Sequence, residues 1–492
     1  MTASNRFLTI PCYPEPMTSP SHVARPAREE TVPPAGSGTA PAPSPLSAAG
    51  LIARVKAILA DRSDSRLTQL VAGKVFLLRV ANALVALGSQ VLLARWMGRF
   101  EFGVYIYVWT WVLMIGSLSD VGLSTAARRF IPEYTELDEP DRLRGFLTGG
   151  RWLALALATA IALAGAIGVT LLRPWIDNFT VIPLYLACVI IPITGVGALQ
   201  SGIAQTYNWS ALALVPFFIG RQLVLTVAIG GAWFLGYTVD AVTAMIVAIV
   251  ASWAVTVVQL LLLNRRLAGI VPPGPKRYAP RTWLGTSLPI LMVEGFYLLL
   301  TYVDIIALER FQPPGEVAVY YAATRILSVV AFVYFAIAGA TTHKFTQYYV
   351  AGNHERLASF FNETIRWTFW PSLVACGGIL IFGRWLLSLF GEGFTSGYLV
   401  MFILAIGMLA RAAVGPAERL LNMLGDRKQC AGVYALAFAI NLGLCVVLIP
   451  RFGLEGAAMA TSAALIAESI LLYRMTRRRL GHHVFILRHA ER

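Results

Sequence analysis

The chain has few charged residues. Asp, Glu, Lys and Arg make up 13% of its 492 residues, whereas hydrophobic residues make up 57%. A soluble globular protein carries roughly 25% charged residues. The low charge content therefore excludes a soluble globular protein and is typical of an integral membrane protein.

Recognisable catalytic motifs are also missing. The sequence has no GxxxxGK[ST] phosphate loop, no HExxH zinc motif and no GxSxG nucleophile motif. The five cysteines are scattered and form no CxxC pair. We therefore predict that the chain is not an enzyme and has no resident cofactor or metal.

Basic residues outnumber acidic ones, and the formal net charge is +14 at pH 7. Such an excess can indicate nucleic-acid binding, but here the basic residues lie between the apolar runs. This distribution follows the positive-inside rule, in which Lys and Arg concentrate in cytoplasmic loops. It also suits contact with anionic lipid. We predict membrane lipid, and no nucleic acid, as a partner.

Long apolar runs are what the sequence does contain. Each is long enough to cross a bilayer core of ~30 Å as a helix. We predict an all-α polytopic membrane protein with about twelve transmembrane helices, in two six-helix bundles related by a pseudo-two-fold axis. The predicted spans are residues 74–95, 103–125, 148–172, 181–204, 211–235, 240–263, 283–308, 317–342, 366–390, 396–420, 431–449 and 454–474.

The runs and loops divide the chain into five segments. The first 50 residues are rich in Pro, Ser and Ala, a composition typical of disorder. The basic loops predict that both termini are cytoplasmic. The segments are a disordered and amphipathic cytoplasmic region (1–72), a first six-helix bundle that we call the N-terminal half (73–263), a cytoplasmic linker (264–282), a second bundle that we call the C-terminal half (283–474), and a basic cytoplasmic tail (475–492).

Four arginines interrupt the apolar runs. A charge inside the membrane is costly, so it usually faces a partner or an aqueous cavity. Arginine suits phosphate because its planar guanidinium binds two oxygens and stays charged when desolvated. Each arginine also has a structural alternative, such as snorkelling to the headgroups. The predicted substrate-binding residues are Arg79, Arg221, Arg325 and Arg411.

Acidic side chains also fall within the spans. Glu294 lies in the middle of the seventh span, and Asp304 lies one turn from its predicted outer end. We predict that these two residues couple transport to an ion, because a buried carboxyl group can carry a proton. The alternative for Asp304 is a structural ion pair with Arg325. Glu468 lies near the end of the last span, where we expect it at the membrane interface.

Three stretches carry a family resemblance. They are LLARWMGRFEFGVYIYV (92–108), SDVGLSTAARRFIPEY (119–134) and NMLGDRKQCAGVYALAFAINLGLCVVLIPRFGLEGAAMATSAALI (422–466). Their order and positions resemble the Wzx-type lipid-linked oligosaccharide flippases, which are polysaccharide-biosynthesis membrane proteins of the multidrug/oligosaccharidyl-lipid/polysaccharide (MOP) superfamily.

The resemblance implies a transporter that works by alternating access through a central cavity. Its cargo would be an oligosaccharide on a polyprenyl diphosphate, moved from the inner to the outer leaflet of the bacterial cytoplasmic membrane for exopolysaccharide, capsule or O-antigen synthesis. The polymerase and glycosyltransferases of the same pathway are implied as partners.

Three other functions fit the sequence less well. A MATE-like ion-coupled exporter of drugs or cations would have more acids than arginines at mid-membrane. A membrane glycosyltransferase or polymerase would need a long outer loop, and every predicted outer loop here is short. A scaffold without transport activity would have no use for buried charge.

Overall fold

The computed structural model describes residues 64–480. Side chains are described from Leu78 onward, apart from residues 289–290, 292–294, 340, 342–343 and 427. Most of the predicted N-terminal segment and the end of the basic tail therefore lie outside the described residues. From Leu67 onward the described chain belongs to one compact unit, and Asp64–Arg66 are helical.

Residues 64–480 form helices joined by short turns, without a strand. The all-α prediction is therefore confirmed for this part of the chain. The helices are α1 (Asp64–Leu118), α2 (Leu123–Glu136), α3 (Pro140–Leu172), α4 (Asn178–Thr206), α5 (Ser210–Leu214), α6 (Arg221–Phe234), α7 (Ala241–Ala268), α8 (Pro280–Phe311), α9 (Pro314–Leu327), α10 (Ala331–Val350), α11 (His354–Ile381), α12 (Gly383–Ser388), α13 (Tyr398–Ala412), α14 (Ala417–Met423) and α15 (Arg427–Leu480).

Eight helical segments within the described residues are long and apolar enough to cross a membrane. This number is below twelve in part because α1 and α15 each carry two predicted spans. A kink separates the two arms of each helix, at Gly98 (φ 79°) in α1 and at Gly453 (φ 55°) in α15. Glycine adopts a positive φ at little cost, which explains its place at both kinks. The arrangement in two six-helix bundles remains a prediction.

One hydrophobic cluster joins the two halves of the chain. It contains Phe102 from the N-terminal half and Val319 and Phe394 from the C-terminal half, all buried. These residues lie beside the loops that the sequence predicts to be outside. We call this group the outer cluster.

The predicted cytoplasmic end is organised differently, because its core residues form two separate clusters. One lies in the N-terminal half around Phe130 and Phe146, and it includes Trp283 from the start of α8. The other lies in the C-terminal half around Phe345 and Phe361. Apart from Trp283, Leu267 of the linker and Leu480 of the tail, the buried residues of the first cluster come from the N-terminal half and those of the second from the C-terminal half.

Backbone contacts accompany the outer cluster. A Cβ atom on Gly103 would overlap the carbonyl oxygen of Pro314, so α1 and the start of α9 pack in direct backbone contact. The Arg99 Nε donates to the Gly315 carbonyl at 2.9 Å, and the Arg99 guanidinium forms an ion pair with Glu316. The halves are therefore in close contact at their predicted outer end.

Candidate functional site

Arg221 follows an irregular turn in a predicted span. Residues Val215–Gly220 form a π-helical turn between α5 and α6, and Pro216 is its second residue. Proline has no backbone N–H to donate, so it disturbs the regular helical ladder. Such π-turns are frequent at functional sites. Arg221 comes directly after the turn, and this residue is 9% exposed.

The Arg221 guanidinium lies between two aromatic rings. Its Cζ is 4.8 Å from the centroid of the Trp109 ring and 4.6 Å from that of Phe217. Ring faces attract a cation, but they do not neutralise its charge. Among the described side chains, no carboxylate pairs with Arg221 and no acceptor takes a hydrogen bond from it. An anion would complete this site.

Arg325 has a similar aromatic partner in the C-terminal half. Its Cζ lies 4.7 Å from the centroid of the Tyr321 ring. The Tyr321 hydroxyl accepts a hydrogen bond of 2.7 Å from Gln90 Nε2, across the two halves. The Tyr321 ring also meets Phe102 edge-on, with the centroids 6.3 Å apart. Arg325 is thus held where the two halves touch.

A chain of aromatic residues links the two arginines. Tyr105 stacks on Trp109, with centroids 5.8 Å apart and planes 15° from parallel. Tyr105 also lies near both Arg221 and Tyr321. We call Trp109, Tyr105 and Tyr321 the aromatic bridge. It has Arg221 at one end and Arg325 at the other.

Sequence reasoning missed these aromatic residues, although a signal was present. Phe217 precedes Arg221 by four residues, and Tyr321 precedes Arg325 by four residues. Residues four apart lie on the same face of a helix. An aromatic residue four positions before an intramembrane arginine therefore predicts the stacking seen here.

Asp304 is buried and bound by hydrogen bonds. Its Oδ2 accepts from the Tyr320 hydroxyl at 2.7 Å and from the Thr461 hydroxyl at 3.3 Å, and its Oδ1 accepts from the Ile305 amide at 2.9 Å. No ion pair joins Asp304 to Arg325 among the described side chains. Asp304 is therefore bound by the hydroxyl groups of Tyr320 and Thr461, and not by the ion pair with Arg325 that the sequence left open.

Arg411 pairs with Glu468. Its Nε lies 3.6 Å from Glu468 Oε1, and its guanidinium lies 5.7 Å from the centroid of the Tyr334 ring. The Glu468 side chain is 0% exposed. Glu468 is therefore enclosed by protein rather than exposed, and its predicted depth near the membrane interface remains a prediction.

The two remaining predicted residues stay apart from this arrangement. The Arg79 side chain on α1 is exposed and does not belong to the aromatic bridge. Glu294 lies on α8, but its side chain is outside the described residues. The roles predicted for both residues remain predictions.

Two protein families match the chain. The family described as "Polysaccharide biosynthesis protein" matches residues 73–342, which is more than half of the chain. The family described as "MatE" matches residues 289–447.

A curated relative from Haloferax volcanii is described as "Probable low-salt glycan biosynthesis flippase Agl15". It is 24% identical to this chain over 180 residues. The match covers 36% of this chain and 38% of the relative, so it spans well under half of that protein.

Solved structures share the fold. An inward-facing multidrug resistance MATE family transporter of the MOP superfamily gives a TM-score of 0.68 at 14% identity, over 82% of this chain and 98% of that structure. The lipid II flippase MurJ in an inward closed conformation gives a TM-score of 0.64 at 15% identity, over 82% of this chain and 87% of that structure. At such identities, the likeness establishes the fold alone.

Proposed function

Because this chain belongs to the polysaccharide biosynthesis protein family, we propose that it is a flippase for a lipid-linked glycan. Its cargo is an oligosaccharide on a polyprenyl diphosphate, which it carries from the inner to the outer leaflet of the bacterial cytoplasmic membrane. Exopolysaccharide, capsule or O-antigen synthesis would use the product. The description of the Haloferax volcanii relative as a glycan biosynthesis flippase supports this proposal.

The isolated charge of Arg221 carries the proposal. A guanidinium that is 9% exposed and has aromatic faces as its described neighbours lacks an anion. A diphosphate is a suitable anion because two of its oxygens match the guanidinium fork. Arg325, at the other end of the aromatic bridge, can bind a second part of the same headgroup. Arg79 and Arg411 are proposed to bind the headgroup along its route.

Ion coupling is assigned to Asp304 and Glu294. Asp304 is buried with two hydroxyl groups as partners. Loss or gain of a proton or a cation there would change the net charge beside Tyr320 on α9, the helix that also carries Arg325. Movement of the lipid and movement of the ion could thereby be linked through one helix. Glu294 is proposed for the same role from its position in the middle of a span.

A MATE-like exporter of drugs or cations is the second candidate. It is favoured by the match of the MatE family to residues 289–447. The placement of the arginines argues against it, because the aromatic faces that would attract an organic cation are covered by Arg221 and Arg325. A positive charge on each face repels a cationic substrate.

Alanine substitutions of the two bridge arginines test the proposal. In the host organism lacking its chromosomal copy, Arg221→Ala and Arg325→Ala, at normal protein levels, should abolish polymer export. Lipid-linked repeat units should accumulate in the inner leaflet. Arg221→Lys should retain little export, because an ammonium group lacks the guanidinium fork.

Arg451→Ala is the matched control, because Arg451 is an exposed arginine at a predicted outer turn. This variant should export polymer normally. Normal export by both Arg221→Ala and Arg325→Ala would refute the phosphate-binding role. Unchanged export together with loss of drug resistance would favour the MATE-like function instead.

A further inference from the structure

The pair formed by Arg411 and Glu468 is unusual in how its carboxylate is held. Neither oxygen of Glu468 accepts a hydrogen bond from a described residue, although the side chain is fully buried. The Arg411 Nε, at 3.6 Å, is too distant for a hydrogen bond. The negative charge of Glu468 is thus compensated by the charge of one arginine, without hydrogen bonds.

The two partners differ in accessibility. The Arg411 side chain is 29% exposed, whereas that of Glu468 is 0% exposed. A large anion can therefore reach Arg411, but it cannot reach Glu468. An anion bound by Arg411 would compete with Glu468 for the same positive charge.

Other groups around the pair do not replace Arg411. The nearby titratable and charged groups are Tyr297 on α8, Tyr334 on α10, Glu418 and Arg419 on α14, and Tyr434 on α15. The charged groups near Glu468 are Arg411 and Glu418, and Glu418 adds a second negative charge. A buried carboxylate that loses its counter-charge is costly and becomes neutral instead.

We propose that Arg411 and Glu468 form a charge-exchange site, at which binding of a diphosphate headgroup to Arg411 causes Glu468 to take up one proton. The proton comes from water and adds to a carboxylate oxygen, and it is released when the headgroup leaves and the ion pair forms again. This inference rests on the proposed function, because it assumes an anionic lipid cargo. It adds a coupling residue in α15, separate from Asp304 and Glu294.

A proton fits this site better than a metal cation. A sodium ion needs several oxygen ligands, and the immediate surroundings of Glu468 offer the guanidinium of Arg411, which repels it. Neutralisation by a proton needs no further ligand. By linkage, a headgroup that brings in a proton must bind more tightly as the pH falls.

The test uses the purified full-length protein and geranylgeranyl diphosphate as the probe. Titration calorimetry in two buffers of different ionisation enthalpy counts the protons taken up on binding. Wild-type protein should take up about one proton more per ligand than Glu468→Gln, and its Kd should fall by up to about tenfold per pH unit relative to that variant. Glu363→Gln, which changes an exposed carboxylate on α11, should behave as wild type.

A second measurement does not depend on the ligand. Arg411→Gln removes the counter-charge directly, so Glu468 should be protonated in the unliganded protein. Infrared difference spectroscopy should show the carbonyl band of a protonated carboxylic acid in Arg411→Gln. The band should be absent from the double variant Arg411→Gln/Glu468→Gln.

The outcomes separate the inference from the proposed function. Binding of the diphosphate with equal proton uptake in wild type and Glu468→Gln would overturn the charge-exchange site. Absence of the carbonyl band from Arg411→Gln would also overturn it. No binding of the diphosphate, together with the carbonyl band in Arg411→Gln, would refute the proposed cargo and still support the linkage between the two charges.

Discussion

Two buried acids in the C-terminal half are stabilised in opposite ways. Asp304 accepts hydrogen bonds from two hydroxyl groups and a backbone amide. Glu468 accepts none from the described residues and depends on the charge of Arg411. Replacement of Asp304 by asparagine therefore keeps part of its hydrogen bonding. Replacement of Glu468 by glutamine removes the attraction to Arg411, which is its main stabilising interaction.

Two substitutions of Asp304 distinguish its role in ion-driven transport from its contribution to the stability of the fold. Asp304→Asn keeps an acceptor oxygen for Tyr320 but turns its NH2 group toward the Ile305 amide, so it should lose less stability than Asp304→Ala while ion-driven transport is lost. Asp304→Ala leaves the Tyr320 hydroxyl with the Thr461 hydroxyl at 3.2 Å as its described partner. We expect it to lower the free energy of unfolding by about 1–3 kcal/mol. Thermal unfolding in detergent and transport under an imposed ion gradient measure the two effects.

Two outcomes would contradict these expectations for Asp304. If Asp304→Asn transported with an unchanged dependence on the ion gradient, Asp304 would have a structural role alone. If Asp304→Ala were as stable as wild type, its hydrogen bonds would contribute nothing measurable to folding.

The intramembrane charges could be predicted from sequence, but their partners could not. Arg221, Arg325 and Asp304 stand out because a charge in an apolar run is costly. Thr461 lies 157 residues from Asp304 along the chain, and no local pattern connects them. The burial of Glu468 beside Arg411 could not be predicted for the same reason, because its distance from a predicted helix end indicates its depth and not which side chains pack around it.

The positions of the helices could be predicted from the sequence, but the irregular turn within one of them could not. The apolar runs predict where membrane helices lie, because the length of a run has a direct physical requirement. The same pattern predicts a break between consecutive spans, and at Gly98 and Gly453 the backbone does leave the helical conformation between one span and the next. The π-helical turn before Arg221 was not predicted, because Pro216 alone does not specify which helical distortion it produces.

The close approach of α1 and α9 predicts the effect of a small substitution. Gly103→Ala places a methyl group against the Pro314 carbonyl oxygen. The backbones must move apart, at a cost of roughly 1–3 kcal/mol. The substitution destabilises the conformation in which α1 and α9 are in contact, and not one in which they are apart. The variant should therefore open its predicted outer end more often. A cysteine at Ala318, which is fully buried in the outer cluster, should then react several-fold faster with a membrane-impermeant maleimide.

A second glycine in α1 provides the control. A Cβ atom on Gly88 would meet no other atom within 4 Å. Gly88→Ala should therefore leave the labelling rate of the cysteine at position 318 unchanged. Equal rates in Gly103→Ala and the parent protein would show that the backbone contact does not limit opening.

Three of the hydrophobic clusters among the described residues indicate how the molecule can change conformation. One cluster joins both halves at the predicted outer end, whereas the clusters at the opposite end are separate. A transporter that exposes its site to each side in turn must break the outer contacts during the cycle. The contacts between α1 and the start of α9 should therefore form and separate once in every transport event.

Cross-linking the outer ends of the two halves tests this expectation. Arg99 and Glu316 form an ion pair across the halves, and their side chains are 33% and 27% exposed. The double variant Arg99→Cys/Glu316→Cys can therefore be joined by a short bis-maleimide that contains a cleavable disulfide. The linker should abolish transport, because it prevents the outer contacts from separating, and reduction of the linker should restore it.

The two single-cysteine variants, treated with the same reagent, are the controls, because the reagent modifies them without joining the halves. Both should keep their transport rates, because the halves remain free to part. The pair also lies outside the aromatic bridge, so its loss leaves Arg221 and Arg325 in place. Full transport by the cross-linked double variant would mean that the outer contact persists through the cycle. Substrate would then have to leave by a route that does not pass between α1 and α9.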